Sequence, residues 1–225
     1  MLPIRELTVL SIVVRILLAI VLGGVIGLER GMKNRAAGLR TYMLVCMGSC
    51  IVMVTNQYIY QTFHTGDPVR MGAQVVSGIG FLGAGSIIVT ARNQIKGLTT
   101  AAGLWASACV GLAVGIGLYE VALLGTVSIF VILTLMHNLD DKMRHNSKRL
   151  DVYVELKKGV PIGVFFDFVR IHNIEHSNLQ MDGDGAYTAG AIAFSVTLKS
   201  LGEYRHDDML RELAKLEETA YVEAL

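Results

Sequence analysis

Long apolar stretches fill the first 137 residues of the chain, and they limit the possible folds more than any other feature. Each is close to the roughly 17–25 residues that a helix needs to cross the hydrocarbon of a bilayer. The five stretches are Leu7 to Leu28, Thr41 to Tyr60, Met71 to Val89, Leu98 to Leu118 and Val121 to His137. Because a tight turn near Glu120 is all that separates the last two, four spans remain an alternative to five.

Charges are distributed unevenly along this chain, of which 52% is hydrophobic and 17% is charged. Between residues 7 and 137 the only carboxylates are Glu29, Asp67 and Glu120, whereas acids and bases mix freely after Asp140. A composition this apolar is typical of a membrane protein. We therefore predict three parts: an α-helical transmembrane bundle (1–140), a charged juxtamembrane linker (141–149) and a soluble domain (150–225).

Basic residues concentrate in alternate loops, which predicts how the bundle is oriented, because Lys and Arg favour the cytoplasmic side. One side receives Arg30, Lys33, Arg35, Arg40, Arg92, Lys96, Lys142, Arg144, Lys148 and Arg149. The other side receives Arg5, Arg70 and a turn poor in charge. We expect the amino terminus outside and the carboxy-terminal domain in the cytoplasm. The first stretch is too long for the core of a signal peptide, so we expect it to be retained.

The segment GIGFLG, residues 78–83, has the glycine spacing of a dinucleotide-binding loop. That fingerprint also needs an acidic residue about twenty positions later to hold the ribose. After Asp67 the next carboxylate is Glu120, so the required acid is missing, and the glycines lie inside an apolar run. We therefore expect no nucleotide, no other cofactor and no nucleic-acid partner.

We interpret these glycines as parts of small-residue surfaces that let helices approach closely in lipid. On the third stretch, helical spacing places Ala73, Ser77, Gly80 and Ala84 on one face. The first and fourth stretches repeat the pattern with Ala19, Gly23, Gly27, Gly103, Ser107 and Gly111. An alternative is that the third stretch is loosely wound and lines an ion path, since glycine lowers helix stability.

Arg15 lies inside the first stretch, in line with Ala19 and Gly23 at four-residue steps, so we expect it to face neighbouring helices. A charge inside the membrane marks a functional site with a partner by default. We predict that Arg15 pairs with Glu120. The alternative is that its long side chain reaches the outer headgroups.

Polar residues also stand near the ends of later spans. Gln74 precedes the glycines of the third stretch, and Thr99 and Thr100 open the fourth. These groups can cap a helix or form hydrogen bonds across helices. An alternative is that they line a polar cavity together with Asn56 and Gln57.

The predicted cytoplasmic loops bring further charges to the span ends, namely Glu29, Arg30, Arg40 and Lys96. One interpretation is that Glu29 pairs with a base while the three basic residues form an anion-binding or docking surface. The other is that these bases set the topology and meet anionic lipid headgroups. The sequence leaves both open.

Several strings resemble, in their order and spacing, the hydrophobic half of the MgtC/SapB family of bacterial membrane proteins. They are GVIGLER, AGLRT, QVVSGIGFLGAGSI and KGLTTAAGLW, within Ile20 to Leu118. The resemblance implies a plasma-membrane protein tied to growth under magnesium limitation or acid stress and, in pathogens, to virulence through survival inside host cells. In some members that role is attributed to restraining the F-type ATP synthase. The family has also often been labelled a magnesium transporter.

The tail changes to patterns of strands and helices. Alternation from Leu150 predicts a strand, Pro161 suits a first helical position, and two strands, a helix from Asp207 and a final strand follow. The order βαββαβ predicts an α+β ferredoxin-like domain. It resembles ACT-type regulatory domains, which often dimerise and bind ligands near the first strand-to-helix loop, here Lys158 to Pro161. We expect a homodimer, because a sheet with one helix-covered face needs its other face covered or polar.

Metal-binding patterns in the tail are weak, and we predict no metal site. DGDG at Asp182 begins like an EF-hand loop, but its twelfth position is not Glu. His172 and His176 straddle the predicted helix end. Asp140 and Asp141 could hold hydrated magnesium, although a charged linker explains them equally well.

Two functions remain open. A regulator would contact a membrane partner through the bundle while the tail reads a cytoplasmic signal. An ion transporter would use the polar residues and glycines as a conduction path, but a magnesium path should place carboxylates or carbonyls along the pore. We expect no enzyme activity, because no nucleophile, base and orienting group can be recognised together.

Overall fold

The computed structural model describes residues 6–90, 94–202 and 204–225. The chain divides into two compact units, Met1–Thr90 with Ile95–His137 and Ala91–Gln94 with Asn138–Leu225. Arg5 and Arg92 lie outside the described residues, and so do the side chains of Asp140, Asp141 and Arg144. The magnesium-binding alternative for Asp140 and Asp141 therefore stays a prediction.

The first unit is built from helices that follow the apolar stretches. They are α1 (Val9–Met32), α2 (Leu39–Phe63), α3 (Arg70–Gly85), α4 (Leu98–Ile116) and α5 (Tyr119–Val131). An antiparallel hairpin of β1 (Ile88–Val89) and β2 (Ile95–Lys96) joins α3 to α4. After α5, a π-helical turn (Ile132–Met136) leads into α6 (His137–Asn146).

Local sequence explains where α1 begins and where α4 ends. The Thr8 hydroxyl accepts the backbone N–H of Ser11 at 3.2 Å, and the Ser11 hydroxyl accepts that of Thr8 at 2.9 Å. This reciprocal cap fixes the start of α1. Gly117 ends α4 with a φ of 86°, a left-handed conformation that favours glycine. The last two apolar stretches are therefore separate helices.

Within the described residues, four helices are long and apolar enough to cross a membrane, namely α1, α2, α4 and the segment Tyr119–Met136. The prediction of about five spans exceeds this number because α3 has only 16 residues. At 1.5 Å per residue α3 is about 24 Å long, shorter than the ~30 Å hydrocarbon core. It is shorter than its apolar stretch because the chain turns into the β1–β2 hairpin after Gly85.

The helix α3 lies antiparallel to α4. In its first turn, a Cβ at Gly72 would stand 3.4 Å from Met53 of α2 and 3.9 Å from Leu112 near the end of α4. In its last turn, a Cβ at Gly83 would stand 3.4 Å from Ala101 at the start of α4. The helix therefore runs from one end of the bundle toward the other, although it is shorter than its neighbours.

The second unit is an antiparallel sheet that packs against two helices. The strands are β3 (Arg149–Leu156), β4 (Ile174–Asp184), β5 (Ile192–Ser200) and β6 (Thr219–Ala224), and the helices are α7 (Gly163–Ile171) and α8 (His206–Ala214). The strand order is β4-β5-β3-β6. The predicted linker at 141–149 is shorter than expected, because α6 stays helical as far as Asn146 and β3 begins at Arg149.

Alternation along β3 decides which side chains enter the core of the second unit. Val152, Val154 and Leu156 pack in one apolar cluster with residues of α7 and α8, among them Phe165 and Met209. Residues at the intervening positions of β3 point to the opposite face, because successive side chains of a strand alternate. That second face, which we call the open sheet face, carries polar side chains.

Candidate functional sites

Arg15 is the centre of a polar cluster inside the bundle. Its side chain is 0% exposed and is therefore enclosed by the helices. Its Nη1 donates to Oε1 of Gln57 at 2.7 Å and to the carbonyl oxygen of Gly115 at 2.8 Å, and its Nε donates to the Tyr119 hydroxyl at 3.2 Å. Four helices, α1, α2, α4 and α5, each contribute one residue, so the cluster ties them together.

The three acceptors of Arg15 named above are uncharged oxygens. The Gly115 carbonyl lies in the last turn of α4, where the helix dipole is negative and favours a cation. A hydrogen bond to a charged group contributes about 1.5–3 kcal/mol, which offsets the cost of at least ~2.5 kcal/mol for an arginine in lipid. Glu120 is exposed at the start of α5, and its pairing with Arg15 stays a prediction.

Other buried polar groups divide between the two ends of α4. Near the carboxy-terminal end of α4, Asn56 of α2 is buried and donates to the Pro68 carbonyl. Asn56 directly precedes Gln57 of the Arg15 cluster in the chain. At the start of α4, Thr100 is buried and its carbonyl accepts the Tyr42 hydroxyl at 3.5 Å. These groups therefore lie at opposite ends of the bundle and do not share one cavity.

Two predicted polar positions point away from the interior. Gln74 on α3 and Thr99 on α4 are exposed. The residue that precedes α4 is Gly97, and no side chain caps this helix. Capping of α4 by the threonines is therefore not seen, because Gly97 with a φ of 101° makes the turn into the helix. The other role, hydrogen bonds of their side chains across helices, stays a prediction.

Glycines bring α1 into backbone contact with α2. A Cβ at Gly23 would stand 2.7 Å from the carbonyl oxygen of Tyr42, and a Cβ at Gly27 would stand 2.8 Å from Cα of Leu39. Both distances are shorter than any real Cβ contact. An alanine at either position would therefore push the two helices apart.

The helix α4 approaches α2 equally closely from another side. A Cβ at Gly111 would overlap the carbonyl oxygen of Cys46, and a Cβ at Gly103 would overlap the Tyr42 hydroxyl. Between them the buried Ser107 hydroxyl donates to the Tyr42 carbonyl at 3.5 Å. The core of the bundle is therefore the close packing of α1 and α4 on α2.

The predicted packing face of α3 is not the one that packs inside this chain. Its four small residues, Ala73, Ser77, Gly80 and Ala84, are all exposed. The buried residues of α3 are instead Gly72, Ile79 and Gly83. Both sets follow helical spacing, and α2 and α4 cover the second because they flank α3 on that side. We call the exposed set the open face of α3.

A groove between α2 and α3 adjoins these small residues. It has a volume of about 360 Å³ and is lined by Leu44 and Gly48 of α2 and by Val75 and Gly78 of α3, among others. Neither Gly48 nor Gly78 has an atom within 4 Å of the place where a Cβ would stand. The groove therefore has room for side chains from outside the chain.

Charged residues form a buried cluster at the end of α1. Glu29 and Arg30 are 3% and 4% exposed. Lys33 Nζ lies 2.7 Å from Glu29 Oε1, and Arg30 Nη1 lies 3.5 Å from Glu29 Oε2. Arg40 and Lys96 are exposed. The structure thus brings Glu29, Arg30 and Lys33 together, whereas Arg40 and Lys96 face outward.

The second unit contains a buried carboxylate on its open sheet face. Glu155 is 0% exposed, and its Oε1 accepts the Tyr153 hydroxyl at 2.8 Å and the backbone N–H of Tyr187 at 2.9 Å. Burial acts to raise the pKa of Glu155, but hydrogen bonds from Tyr187, Tyr153 and Thr188 outweigh it and hold that pKa below its usual value. Glu155 therefore stays ionised although it is buried.

An aspartate at the start of α8 contacts two histidines. Asp207 lies 3.1 Å from Nδ1 of His206 and 2.9 Å from Nδ1 of His145. The hydrogen bond with His206, helped by His145, lowers the pKa of Asp207. In the described part of the chain, no three His, Cys, Asp or Glu side chains are arranged to hold a metal ion.

Some of these residues escaped the sequence reasoning. Lys33 could have been found, because Glu29 and Lys33 are four residues apart on one helix face. Tyr119 and Glu155 had no such signal. Glu155 occupies a strand position that alternation assigns to solvent, and the loop that buries it lies about thirty residues later in the chain.

These features define an integral membrane protein with a packed helical bundle and a separate α/β unit. The MgtC family model matches residues 16–142, more than half of the chain, so the chain belongs to the MgtC family.

Similarity to individual proteins agrees with this assignment. The chain is 36% identical over 211 residues to Protein MgtC of Brucella abortus (strain 2308), which covers 87% of this chain and 82% of that protein. It is 41% identical over 146 residues to a protein of Escherichia coli K12 named Putative magnesium transporter YhiD, covering 62% of this chain and 67% of that protein. No solved structure gives a significant match.

Proposed function

We propose that this MgtC-family protein is a regulator in the bacterial plasma membrane that acts by contact with another membrane protein under magnesium limitation or acid stress. The bundle supplies the contact surface, the carboxy-terminal unit is a cytoplasmic regulatory domain, and neither carries out catalysis. The observation that carries this proposal is the contrast between the closed packing of α1, α2 and α4 and the open face of α3.

Closed packing supports a scaffold more than a conduction path through these three helices. The helices meet at distances that leave no room for a methyl group at Gly23, Gly27 or Gly111. A magnesium path should also be lined by carboxylates or carbonyls, and the apolar stretches contain almost no acidic residue.

The open face of α3 supports a protein partner. The exposed side of α1 carries large apolar residues such as Val13, Leu17 and Val21, which suit lipid tails. The open face of α3 carries alanine, serine and glycine, which suit the close approach of another helix. The family resemblance implies the F-type ATP synthase as the partner, and we propose that one of its membrane subunits packs on this face.

The proposed orientation has the amino terminus outside and the second unit in the cytoplasm. It requires α3 to pass from one side to the other, which its antiparallel course along α4 supports. The basic residues Lys33, Arg40 and Lys96 then share one side, as Lys and Arg in cytoplasmic loops do.

We further propose that the second unit is a ferredoxin-like domain of the ACT type. The order of its strands and helices, with β5 and β3 at the centre of the sheet, supports this class. ACT-type domains often dimerise, so a homodimer belongs to the proposal, as does a ligand near Lys158 to Pro161. Dimerisation does not need the open sheet face, because polar residues such as Asp151 and Thr197 already suit it to water.

Ion transport is the second candidate function. It is favoured by the fully buried Arg15, since intramembrane charges mark ion and proton pathways, and by the name of the Escherichia coli relative. In this alternative the Arg15 cluster lies on the path of a proton or another ion.

Photocrosslinking in intact membranes tests the regulator proposal. A photoreactive amino acid replaces Ser77 on the open face of α3, and the control replaces Leu17, which is exposed on α1. We expect a membrane subunit of the ATP synthase, identified by mass spectrometry, to crosslink from position 77 and not from position 17. Equal yields from both positions would contradict the proposal.

Ion flux in liposomes tests the alternative. Full-length protein is reconstituted and assayed for proton and magnesium flux beside a well-folded Arg15→Ala variant. The regulator proposal expects the same background flux for both proteins. If the wild-type protein shows specific flux and Arg15→Ala abolishes it, the transport proposal replaces the regulator proposal.

A further inference from the structure

The loop between β4 and β5 crosses the open face of the sheet. Inside this loop, Gly185 N–H donates to the Ala191 carbonyl and Ala191 N–H donates to the Thr188 carbonyl, both at 3.1 Å. Residues 185–190 are all described, and none of them belongs to the apolar core of the unit. The loop is therefore a compact segment lying on the sheet.

Two neighbouring side chains of β3 hold this segment down through polar contacts. Glu155 Oε1 accepts the backbone N–H of Tyr187 at 2.9 Å, and the Tyr153 hydroxyl accepts that of Ala186 at 3.2 Å. The hydroxyl of Tyr153 also donates to Glu155 Oε1 at 2.8 Å. One carboxylate thus organises the attachment of both backbone groups.

Further contacts lie at the margins of the segment. The ring of Tyr187 packs on the ring of Tyr221 of β6, with centroids 4.2 Å apart. A Cβ at Gly190 would stand 3.5 Å from the Lys158 side chain. Tyr187 nevertheless remains 60% exposed. Most of the segment therefore remains in contact with solvent despite these contacts at its margins.

The two side chains that hold the segment lie outside the apolar core. Tyr153 and Glu155 point to the open sheet face, whereas Val152, Val154 and Leu156 between and beside them point into the core. Gly183 at the end of β4 and Gly190, the last residue of the segment, have φ values of 79° and 74°. Glycine accepts both signs of φ, so both positions can act as hinges.

We propose that residues 185–190 form a strap that opens and closes over the sheet as a local unit, and that the Glu155 carboxylate is its latch. Closing the strap buries Tyr153 and Glu155, which are 2% and 0% exposed. Opening presents their hydroxyl and carboxylate on the surface of the unit. The strap is a conformational device independent of the function proposed for the bundle.

Hydrogen–deuterium exchange of the full-length protein in detergent micelles tests the latch. The test variant is Glu155→Gln, which keeps the size of the side chain and removes its charge. The matched control is Asp151→Asn, since Asp151 lies on the same face of β3 but bonds Thr197, at 2.6 Å, instead of the strap. Peptides covering 185–190 report the strap, and peptides from β3 and β5 report the core.

We expect Glu155→Gln to raise exchange in the strap about tenfold or more, because the neutral amide oxygen accepts the hydrogen bonds there more weakly than the carboxylate does. Exchange in the core strands and in Asp151→Asn should match the wild type. Unchanged exchange in the strap of Glu155→Gln would overturn the proposal. Faster exchange throughout the unit, or failure of the variant to fold, would also overturn it, because Glu155 would then support the whole unit.

Gly185→Ala provides a second variant that keeps the carboxylate. Its Cβ would stand 2.7 Å from the Thr188 carbonyl oxygen and 2.9 Å from Glu155 Oε2 when the strap is closed. We expect this crowding to favour the open strap and raise its exchange, with the core strands unaffected. A strap as protected as in the wild type would refute the closed geometry that the proposal requires.

Discussion

The helices α3 and α4 are both apolar and rich in glycine, yet glycines on the exposed side of α3 and those of α4 that face α2 have opposite surroundings. In α4, a Cβ at Gly111 would overlap the backbone of α2, and a Cβ at Gly115 would stand 2.6 Å from the Cys50 carbonyl oxygen. In α3, Gly78 and Gly80 have no atom within 4 Å of their Cβ positions. A small-residue surface therefore indicates that a helix interface exists, without indicating which helix fills it.

The comparison predicts its largest effect for glycine to alanine changes. Gly111→Ala should destabilise the bundle by about 3 kcal/mol or more, because the added methyl group overlaps a backbone oxygen and α2 must move. Gly78→Ala on α3 should be neutral or slightly stabilising, since alanine favours helix. Thermal unfolding of both variants in detergent measures the difference. Equal loss in both would show that α3 is packed as tightly as α4.

A smaller effect is expected where α3 and α4 are joined. Gly97 has a φ of 101°, and its Cβ would overlap the Ser86 carbonyl oxygen. Gly97→Ala should cost about 2 kcal/mol from the strained backbone, and the exposed hairpin can move to relieve the overlap with Ser86. Limited proteolysis should then cut the β1–β2 hairpin faster than in Gly85→Ala, whose methyl group meets no atom within 4 Å. Equal cutting of the two variants would mean that the join tolerates a side chain.

The end of α4 also accepts a charge, that of Arg15. Arg15→Met removes the hydrogen bonds to Gln57, Gly115 and Tyr119 but also a charge that is costly in lipid. We expect a net loss of about 1–2 kcal/mol, because acceptors such as the buried Gly115 carbonyl lose a charged donor. Arg40→Met is the control, since Arg40 is exposed. Equal unfolding temperatures for Arg15→Met and Arg40→Met would contradict the interpretation that the Arg15 cluster stabilises the bundle.

The smallest effect on stability is expected on the open face of α3. Gly80→Leu should change the unfolding free energy of the isolated protein by less than about 0.5 kcal/mol, as exposed substitutions do. The same substitution should reduce crosslinking from position 77, because the bulky side chain keeps a partner helix away. A large loss of stability in detergent would show that Gly80 packs against another part of the same chain.

Much of this architecture follows from local sequence patterns. The apolar stretches predicted where α1, α2 and α4 lie, and the order and spacing of the GVIGLER and KGLTTAAGLW strings indicated the family, which the match to residues 16–142 confirms. These features could be predicted because hydropathy and motif spacing are properties of neighbouring residues.

What could not be predicted depends on contacts between distant residues. The open face of α3 and its buried face both have helical spacing, and periodicity alone cannot choose between them. The partners Gln57 and Gly115 of Arg15 lie 42 and 100 positions away in the chain. The length of α3 was also overestimated, since an apolar stretch continues through a hairpin as easily as through a helix.

The Arg15 cluster has a consequence for how the protein is made. Synthesis from the amino end delivers α1 to the membrane before Gln57, Gly115 and Tyr119 have been translated. Gln57 follows with the second helix, and Gly115 and Tyr119 are translated later still. The guanidinium of Arg15 therefore gains these three acceptors in stages, and a chain truncated before Gly115 lacks two of them, so it should be recognised by quality control as unfinished.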